Sequence, residues 1–469
     1  GIMGTPIGAC ASFIFLFIMF GSFLEKTGIG QFFIDICHAI ARGAGGGPAK
    51  VAVLTSALEG TVSGSSVSNT VGSGSFTIPM MKRLGYKPEF AAAVEAAAST
   101  GGQIMPPIMG AAAFLMAESL GLPYVTVAKA AIIPALLYFS GIFIMVHLEA
   151  RKLGLKGMSK ETLPKFLPLF LTKGYLMLPL AVIVYFLVEG KTATFSALMG
   201  IVSCAALGII ASIIDISRGT SPRMDIKDFV DILTSSARNI ISVAIACGMA
   251  GIIIGIVTLT GIGLKLGAGL IELSHGIPFI TLFLTMIASI ILGMGTPTTA
   301  NYLITSTITA GAIVGLGYEP LAAHMFAFYF GIIADITPPV ALAAIAGAAI
   351  AKAKPMATAL QATKLAIAAF IIPYMFVFNP AMLLIDTTAG EVLFIIVTAL
   401  VGMIGVSAGL EGWLFRTCTA LERILLAGGG LLLITPGLAT DIAGLSILTV
   451  VSAIQLLFRA RDRKKQVTL

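Results

Sequence analysis

The sequence contains few charged residues, and this scarcity excludes a water-soluble fold. Only 11% of its 469 residues are Asp, Glu, Lys or Arg, whereas 57% are hydrophobic. Soluble domains carry about 25% charged residues. Apolar stretches recur along the chain, for example at 5–24, 193–214 and 391–410, and each could cross a hydrocarbon core of about 30 Å. We therefore predict an all-α polytopic membrane protein.

Cysteine is also scarce and shows no ligand pattern. The five cysteines stand apart in apolar or small-residue surroundings, none forms a CxxC pair, and no His lies at metal-ligand spacing from a Cys. We interpret them as small core residues. The chain begins with Gly1 and enters an apolar segment almost at once, so we expect that an N-terminal piece precedes it.

Basic residues gather in short loops that alternate with loops lacking them. Nearly all Lys and Arg fall in the segments 25–50, 82–87, 151–173, 215–238, 351–356, 411–423 and 459–469. The intervening loops 122–125, 315–319 and 379–390 contain none. Because short basic loops remain in the cytoplasm, this asymmetry predicts a cytoplasmic C-terminus.

Uninterrupted apolar segments predict the membrane spans. They are 5–24, 126–150, 174–189, 193–214, 237–260, 357–379, 391–410, 414–438 and 441–458. Two further segments, 88–121 and 320–351, are apolar but contain a Pro pair, and we predict broken helices there. Short amphipathic stretches at 30–42 and 263–275 are predicted to be arm helices.

Two apolar segments, 48–81 and 279–313, are interrupted by polar runs. We predict that each is a re-entrant helical hairpin, which enters and leaves on one side. A hairpin that crossed the membrane would scramble the distribution of basic loops. The polar runs form the hairpin tips, GTVSGSSVSNT at 60–70 and GMGTPTTAN at 293–301.

The chain contains an internal repeat with a nearly constant offset. Asn69 and Asn301 are 232 positions apart, and so are further Gly, Tyr and Pro residues. These pairs are Gly85 with Gly317, Tyr86 with Tyr318, Pro88 with Pro320, Pro106 with Pro338 and Pro107 with Pro339. An odd number of crossings separates the two repeats, so they are predicted to be inverted. Inverted repeats with discontinuous helices are typical of secondary transporters.

The tips and breaks predict two equivalent cation sites. Backbone groups left unpaired in lipid cost several kcal/mol, so such runs persist only where protein, water or an ion satisfies them. Ser, Thr and Asn supply oxygen, the ligand that hard cations such as Na⁺ prefer. The breaks at 99–107 and 332–339 free backbone carbonyls, and the half-helix ends there favour ions. An anionic substrate is predicted between the two sites.

The acidic and imidazole side chains in these segments are less decisive. Asp335 lies where an isolated charge costs about 2.5–3.5 kcal/mol, and Gln103 takes its place in the first repeat. A role at a cation site and a structural role both remain open for Asp335, Glu59 and Glu95. His147 and His324 are interpreted as structural, and Asn69 and Asn301 as site oxygens.

The same motifs resemble the large membrane subunit of tripartite ATP-independent periplasmic (TRAP) transporters. They are the hairpin run Ser66–Thr70, the Gly85-Tyr86 turn, the tip at 293–301 and the paired prolines. The resemblance extends over essentially the whole chain. It is closer to the fused branch, in which small and large membrane subunits form one polypeptide and the partner is a TAXI-type binding protein. The small-subunit helices expected at the N-terminus of a fusion are not in this sequence, so we expect them upstream or in a separate chain.

The resemblance implies Na⁺-coupled uptake of a small organic acid across the bacterial inner membrane. The acid would be a C4–C6 carboxylate, such as glutamate or 2-oxoglutarate, delivered by a periplasmic TAXI-type substrate-binding protein. Carried over by position, the Na⁺ ligands would be oxygens around Ser65, Asn69, Gln103 and Pro106 and around Thr296, Asn301, Asp335 and Pro338. Substrate contacts would come from Ser66, Ser68, Thr70, Thr298, Thr299 and Thr337.

The resemblance also implies an elevator mechanism, in which a transport domain slides against a scaffold. The transport domain would consist of 48–150 in the first repeat and 279–379 in the second repeat. The scaffold would consist of a span and an arm helix in 1–47, further spans and the second arm in 151–278, and the C-terminal helices in 380–469.

Three other functions would make different demands on the sequence. A Na⁺- or H⁺-coupled carboxylate symporter of the divalent-anion type, working without a binding protein, is the main alternative, since Ser68-Asn69-Thr70 is also similar to that related fold. An intramembrane hydrolase would need a nucleophile beside a base, and neither Asp335 nor the histidines has a matching partner in sequence. A passive channel would have no use for two mirrored hairpins.

Overall fold

The computed structural model describes residues 1–41, 46–155, 165–217, 224–435 and 437–467. Within these residues the regular elements are helices, apart from an isolated bridge between Trp413 and Thr417. The predicted all-α class is therefore confirmed for this part of the chain. Parts of the basic loops that carry the predicted orientation lie outside the described residues, namely 42–45, 156–164 and 218–223.

The first repeat consists of eight helices. They are α1 (Thr5–Lys26), α2 (Ile29–Ile40), α3 (Gly47–Ser63), α4 (Ser66–Gly72), α5 (Gly74–Arg83), α6 (Pro88–Gly102), α7 (Gly110–Leu120) and α8 (Tyr124–Lys152). The first hairpin comprises α3 to α5 and is interrupted at Gly64, whose positive φ of 60° suits glycine. The first broken helix is α6 followed by α7.

Two connecting helices lead into the second repeat. The connecting helices are α9 (Phe166–Val188) and α10 (Ala193–Ser217). The second repeat contains α11 (Ile226–Thr260), α12 (Ile262–Leu273), α13 (Pro278–Gly293), α14 (Thr298–Thr305), α15 (Gly311–Gly315), α16 (Pro320–Ile333), α17 (Leu342–Ala351) and α18 (Pro355–Phe378). A π-helical turn, Ser306–Ala310, joins α14 to α15 in the second hairpin.

The two broken helices share their local geometry as well as their sequence offset. Both are interrupted for several residues, between α6 and α7 and between α16 and α17. In both, the residue before the second half adopts left-handed backbone angles, Met109 in the first and Ala341 in the second. These two residues are 232 positions apart, and both Pro-Pro bonds are cis. The repeat identified in sequence therefore extends to backbone conformation.

Three helices follow the second repeat, and one of them differs from its predicted span. They are α19 (Ala389–Glu411), α20 (Ala420–Ile434) and α21 (Leu438–Val467). The predicted span 414–438 is too long, because α20 begins only after Thr419. The Thr419 hydroxyl accepts from the backbone N–H of Glu422, whose carboxylate accepts from the N–H of Thr419 in return. Such a capping box defines the start of a helix.

In the part of the chain that the structure describes, eight helices are long and apolar enough to cross a membrane, which makes the chain a multi-pass membrane protein. They are α1, α8, α9, α10, α11, α18, α19 and α21. The hairpin legs and the halves of the broken helices are shorter. Large apolar side chains such as Ile210, Leu259 and Leu457 point outward, as lipid contact requires.

The broken helices form the centre of the largest apolar core. Every residue of α6 from Phe90 onward is buried, as is every residue of α16 from Leu321 onward except His324. Helix α6 packs against α3 of its own hairpin and also against α17 and α18 of the second repeat. The two repeats therefore interlock.

A second apolar cluster lies apart from this core. It gathers buried side chains of α1, α2, α9 and α10, together with Val51 of α3, Ile108, Phe114 of α7, Met224 and Ile232. The C-terminal helices form a third cluster. Among them, α19 packs along α8, α20 packs on α19, and α21 packs on α20.

Candidate functional site

Each hairpin touches the broken helix of its own repeat through glycine. A Cβ atom added to Gly60 would lie 2.1 Å from the Cα atom of Gly102. In the second repeat, a Cβ atom on Gly293 would lie 2.5 Å from the carbonyl oxygen of Gly331. Because no real Cβ fits at such distances, only glycine permits these two backbone contacts. They hold each hairpin tip beside the break that follows it.

The two equivalent asparagines lie buried just after the hairpin tips. The Asn69 side-chain amide donates to the carbonyl oxygen of Ser56 on the first hairpin leg, at 3.1 Å. The Asn301 amide donates to the carbonyl oxygens of Gly293 and Gly331, at 3.1 and 2.8 Å. Asn301 thus joins both legs of its hairpin to α16.

One oxygen in this arrangement has no protein donor. The Oδ1 atom of Asn301 is buried and has no hydrogen-bond partner among the described residues. Buried polar atoms are satisfied in the great majority of cases, so an orphaned acceptor calls for an explanation. A hard cation such as Na⁺ would satisfy it, because such ions are bound by oxygen. The residues present at the second tip therefore fit the predicted ion.

The two tips also cross over to each other's breaks. The Ser66 hydroxyl, on the first hairpin, donates to Oδ2 of Asp335 at 2.6 Å. The Thr298 hydroxyl, on the second hairpin, lies 2.6 Å from Oε1 of Gln103. Gln103 in turn directs its amide at Asp335, at 3.5 Å. These side chains form one buried junction between the repeats, which we name the crossed junction (Ser66, Gln103, Thr298, Asp335).

The crossed junction obeys the repeat offset. Ser66 and Thr298 are 232 positions apart, and so are Gln103 and Asp335. The two hydroxyl contacts therefore join equivalent residues of the two repeats, and the contact of Gln103 with Asp335 joins two residues that are themselves equivalent. Sequence reasoning had placed Gln103 and Asp335 in separate ion sites and had not paired Ser66 with Thr298. The same offset of 232 was the signal that could have identified the pair.

The charge in the crossed junction is uncompensated. Asp335 is its only ionisable side chain, and it receives donors from Ser66 and Gln103 but forms no ion pair in the described part of the chain. A buried carboxylate without a countercharge is costly. Helices α6 and α16 both end here with their carbonyl ends, whose partial negative charge also favours a cation.

The other predicted site residues lie nearby but make local contacts. Ser65 caps α4 by accepting from the backbone N–H of Ser68 at 3.4 Å, and the Thr296 hydroxyl donates to the Gly293 carbonyl at 3.0 Å. Pro106 and Pro338 are half-buried in the breaks. Among the predicted substrate contacts, Thr70 and Thr299 are buried, Thr337 is half-buried and Ser68 is exposed. The hydroxyls of Thr70 and Thr337 donate to carbonyls four residues earlier, both at 2.8 Å.

The two histidines interpreted as structural have neutral or basic partners. His147 lies 3.0 Å from the Lys50 ammonium, and His324 lies 2.8 Å from the Tyr302 hydroxyl. Neither lies in the crossed junction. In the described residues, no group of three or more His, Cys, Asp or Glu side chains is placed to hold a metal ion. An ion held at the tips would therefore be bound mainly by neutral oxygens.

Comparison with known proteins gives a consistent result. The family described as "Tripartite ATP-independent periplasmic transporter, DctM component" matches residues 2–391. The putative TRAP transporter large permease protein of Haemophilus influenzae is 25% identical over 334 residues, covering 69% of this chain and 74% of that protein. The matched family region ends just after the start of α19, so most of the three C-terminal helices lies beyond it.

Two other relatives carry the name of a substrate. The C4-dicarboxylate TRAP transporter large permease protein DctM of Pseudomonas aeruginosa is 30% identical over 153 residues, covering 32% of this chain and 35% of that protein. The isethionate TRAP transporter permease protein DctMQ of Oleidesulfovibrio alaskensis is 24% identical over 345 residues, covering 72% of this chain and 52% of that protein. The matches span less than two thirds of each of these two proteins.

Proposed function

Because the chain belongs to the family of TRAP transporter DctM components, we propose that it performs Na⁺-coupled uptake of a small organic acid across the bacterial inner membrane. As a TRAP large membrane subunit, the protein is a secondary transporter of organic acids and not an enzyme. The family also implies two protein partners, a periplasmic substrate-binding protein and a small membrane subunit. The proposal adds the coupling ion, the class of acid, the TAXI type of binding protein and the mode of movement.

The main observation in favour of Na⁺ coupling is that the buried Oδ1 atom of Asn301 has no hydrogen-bond partner in the described residues. We propose one Na⁺ beside Asn301, with oxygens of Thr296, Asp335 and Pro338, and an equivalent ion in the first repeat. The first ion would use oxygens of Ser65, Asn69, Gln103 and Pro106. Since Gln103 and Asp335 touch in the crossed junction, the two ion sites share a border, and occupancy of one would affect the other.

The substrate is proposed to bind where the tips now touch. The Thr298 hydroxyl lies 3.1 Å from the carbonyl oxygen of Gly64, so the hairpins are in direct contact. If the two hairpins separated, the hydroxyls of Ser66 and Thr298 would be free to bind an anion. The other proposed substrate contacts would be close by, namely Ser68, Thr70, Thr299 and Thr337. No Arg is present in either tip or break, so amides, hydroxyls and the bound cations would hold the carboxylate.

The proposed acid is a C4–C6 carboxylate such as glutamate or 2-oxoglutarate. Two relatives are named for small organic anions, a C4-dicarboxylate and isethionate. The proposed site, with hydroxyls and amides, suits anions of this class.

We propose an elevator movement of the largest core relative to the cluster formed by α1, α2, α9 and α10. The hairpins, the broken helices, α8 and α18 would move, and α2 and α12 would act as arms. The C-terminal helices, which sequence reasoning had assigned to the scaffold, pack along α8. Glu411 of α19 also pairs with Lys152 of α8 and Lys364 of α18, at 2.9 and 2.8 Å. These contacts favour their movement with the transport domain.

Uptake into liposomes tests the proposed function. The full transporter would be assayed for radiolabelled glutamate and 2-oxoglutarate uptake, with and without an inward Na⁺ gradient and with and without its TAXI-type binding protein. We expect uptake to require both, and to be lost in Asn69→Ala and Asn301→Ala but kept in Asn239→Ala, whose side chain is exposed on α11. Uptake that needs Na⁺ but no binding protein would favour the self-sufficient symporter. Uptake that is unchanged without Na⁺ would contradict the ion sites.

A further inference from the structure

The first hairpin encloses a carboxyl group that the proposed transport sites do not use. Glu95, on α6, is fully buried, with 0% of its surface exposed. The hydroxyl of Ser56 lies 2.7 Å from its Oε1, and that of Ser73 lies 2.5 Å from the same atom. The hydroxyl of Thr77 bonds to Oε2. No Lys, Arg or His of the described residues pairs with this carboxyl group.

The hydroxyl cage around Glu95 is complete in two protonation states. Besides contacting Glu95, the Ser73 hydroxyl reaches the carbonyl oxygen of Asn69 at 2.8 Å, and the Thr77 hydroxyl reaches that of Ser73 at 3.1 Å. When Glu95 is ionised, all three hydroxyls can donate to it. When Glu95 is neutral, it can donate to Thr77, which then donates to the backbone. Both states leave every group satisfied.

The second repeat shows what this region is like without the acid. Ala327 occupies the position equivalent to Glu95, 232 residues later. Thr309 is the counterpart of Thr77, and Ser289 is that of Ser56, because the offset before the hairpin tips is 233, as between Gly60 and Gly293. Ser289 and Thr309 bond to each other instead, at 2.9 Å. Thr305, the counterpart of Ser73, still donates to the asparagine carbonyl at 2.8 Å. The fold therefore closes this shell without a carboxyl group, and Glu95 is an addition in the first repeat.

The first repeat also makes room for the acid. A Cβ atom on Gly74 would lie 3.0 Å from Cγ of Glu95, whereas Ser306 stands at the equivalent position of the second repeat. One further hydroxyl, that of Ser99, lies one turn along α6 from Glu95. Ser99 is 1% exposed, and its hydroxyl has no hydrogen-bond partner in the part of the chain that the structure describes. A buried hydroxyl without a partner is thus present one turn from the carboxyl group.

A second acidic residue, Glu59, lies near this cage. Glu59 is half-buried on α3, three residues after Ser56, and the charge of Glu95 acts on it. Its Oε1 also lies 3.8 Å from the place of a Cβ atom on Gly30 of α2. Two neighbouring carboxyl groups repel each other when both are ionised, which favours a proton between them.

The remaining titratable groups on the elements packed against α6 are occupied elsewhere or lie at helix ends. Neither α4 nor α17 contributes one. Lys50 of α3 bonds to His147 of α8, Lys364 of α18 bonds to Glu411, and Lys82 of α5 bonds to the carbonyl of Ala351. The others are Arg83 of α5, Tyr124, Lys129, Tyr138, Glu149, Arg151 and Lys152 of α8, and Tyr374 of α18. Among these groups, Glu59 is the acid whose charge interacts with that of Glu95.

We propose that Glu95, caged by Ser56, Ser73 and Thr77, is a proton-binding site inside the first hairpin, and that its proton competes with the cation beside Asn69. The linkage rests on the proposed function. It runs through two residues, because Ser56 gives its carbonyl to Asn69 and its hydroxyl to Glu95, while Ser73 lies between Glu95 and the Asn69 carbonyl. An ionised Glu95 stabilises the nearby cation, and protonation removes that charge. The coupling is reciprocal, so bound cation lowers the affinity for the proton.

Infrared difference spectroscopy tests the proton site without relying on transport. The purified protein, in lipid and without Na⁺, would be titrated while the carbonyl band of protonated carboxyl groups is recorded. We expect a component that vanishes in Glu95→Gln and in Glu95→Ala, and that remains in Glu118→Gln, whose side chain is exposed on α7. Glu95→Ala copies the composition of the second repeat and should fold. A protonated-carboxyl spectrum that is identical in Glu95→Gln and the wild type would overturn the proposal.

The linkage is tested by Na⁺ titrations at several pH values. In the wild type the apparent Na⁺ affinity should fall by up to about tenfold per pH unit as Glu95 takes up its proton. In Glu95→Gln it should not vary with pH over that range. A wild-type Na⁺ affinity that does not depend on pH would overturn the competition. If no variant binds Na⁺, the proposed coupling ion is wrong, while the infrared titration still decides the proton site.

Discussion

Replacement of Asn301 separates a structural role from a ligand role. Its amide donates two hydrogen bonds, to Gly293 and Gly331, while its Oδ1 has no protein partner in the described chain. Each buried hydrogen bond contributes about 1 kcal/mol, so Asn301→Ala should lower the free energy of unfolding by about 2 kcal/mol. Loss of a ligand oxygen to a charged species costs about 1.5–3 kcal/mol, which corresponds to a loss of about 10- to 150-fold in Na⁺ affinity.

Asn301→Asp tests the two roles independently. This variant keeps a side-chain oxygen near the position of Oδ1 but loses both N–H donors. We therefore expect it to be destabilised about as much as Asn301→Ala, yet to keep its response to Na⁺. The response is measured as the rise in melting temperature with increasing NaCl, against KCl at the same ionic strength, because a ligand that binds the folded state raises its stability by mass action.

The outcomes of this comparison are distinct. Asn239→Ala, with an exposed side chain on α11, should match the wild type in both measurements. If Asn301→Ala keeps a wild-type response to Na⁺, Oδ1 is not a ligand. The same conclusion follows if Asn301→Asp loses the response as completely as Asn301→Ala, since the oxygen alone would then not restore binding.

Four further substitutions, with one control, probe the site and its supports. Gly331→Ala should lower the free energy of unfolding by about 1–3 kcal/mol and weaken the Na⁺-dependent melting shift, because its Cβ would lie 2.0 Å from Oδ1 of Asn301. Gly311→Ala is the control, because a Cβ atom there would have no atom within 4 Å. Equal effects of the two substitutions would refute the argument. Ser66→Ala should reduce uptake more than Thr298→Val, because the Ser66 hydroxyl donates to the carboxylate of Asp335, whereas the Thr298 hydroxyl contacts the neutral amide oxygen of Gln103. The reverse order would contradict the crossed contacts. Glu411→Gln should lower stability by about 1.5–3 kcal/mol, because its side chain is 2% exposed and held between two lysines, and an unchanged melting temperature would show that α19 is anchored otherwise.

Local chemistry explains why the sequence was sufficient to predict the fold class, the breaks in the helices and the internal repeat. A Pro pair removes two backbone donors from a helix, and the positive φ at Gly64 suits glycine, so the interruptions at 64 and between α6 and α7 agree with the local sequence. Hydrophobic length predicts the membrane helices for the same reason. Three boundaries were wrong by several residues. The predicted spans 174–189 and 237–260 begin at Phe166 and Ile226 in the structure. The predicted span 414–438 ignored the capping pair of Thr419 and Glu422, although its sequence pattern was visible.

The partners of the site residues were decided only by the tertiary structure. Ser66 meets Asp335 across 269 positions, and nothing near either residue indicates that a hairpin tip crosses to the other repeat's break. The cage of Glu95 likewise combines both legs of a hairpin with α6, so its three hydroxyls were visible in sequence but their convergence was not.

The place of the C-terminal helices shows the same limit. Their length and apolarity predicted three membrane helices; α19 and α21 are long and apolar enough to cross, whereas α20 has only 15 residues. Their attachment to α8 depends on the shape of a helix surface and on the pairing of Glu411 with two lysines far away in sequence. Sequence by itself thus determined which segments are helical, where they break and which residues repeat, because these properties depend on neighbours along the chain. Which oxygens converge, and which helices pack together, depends on contacts that exist only once the two repeats have interlocked.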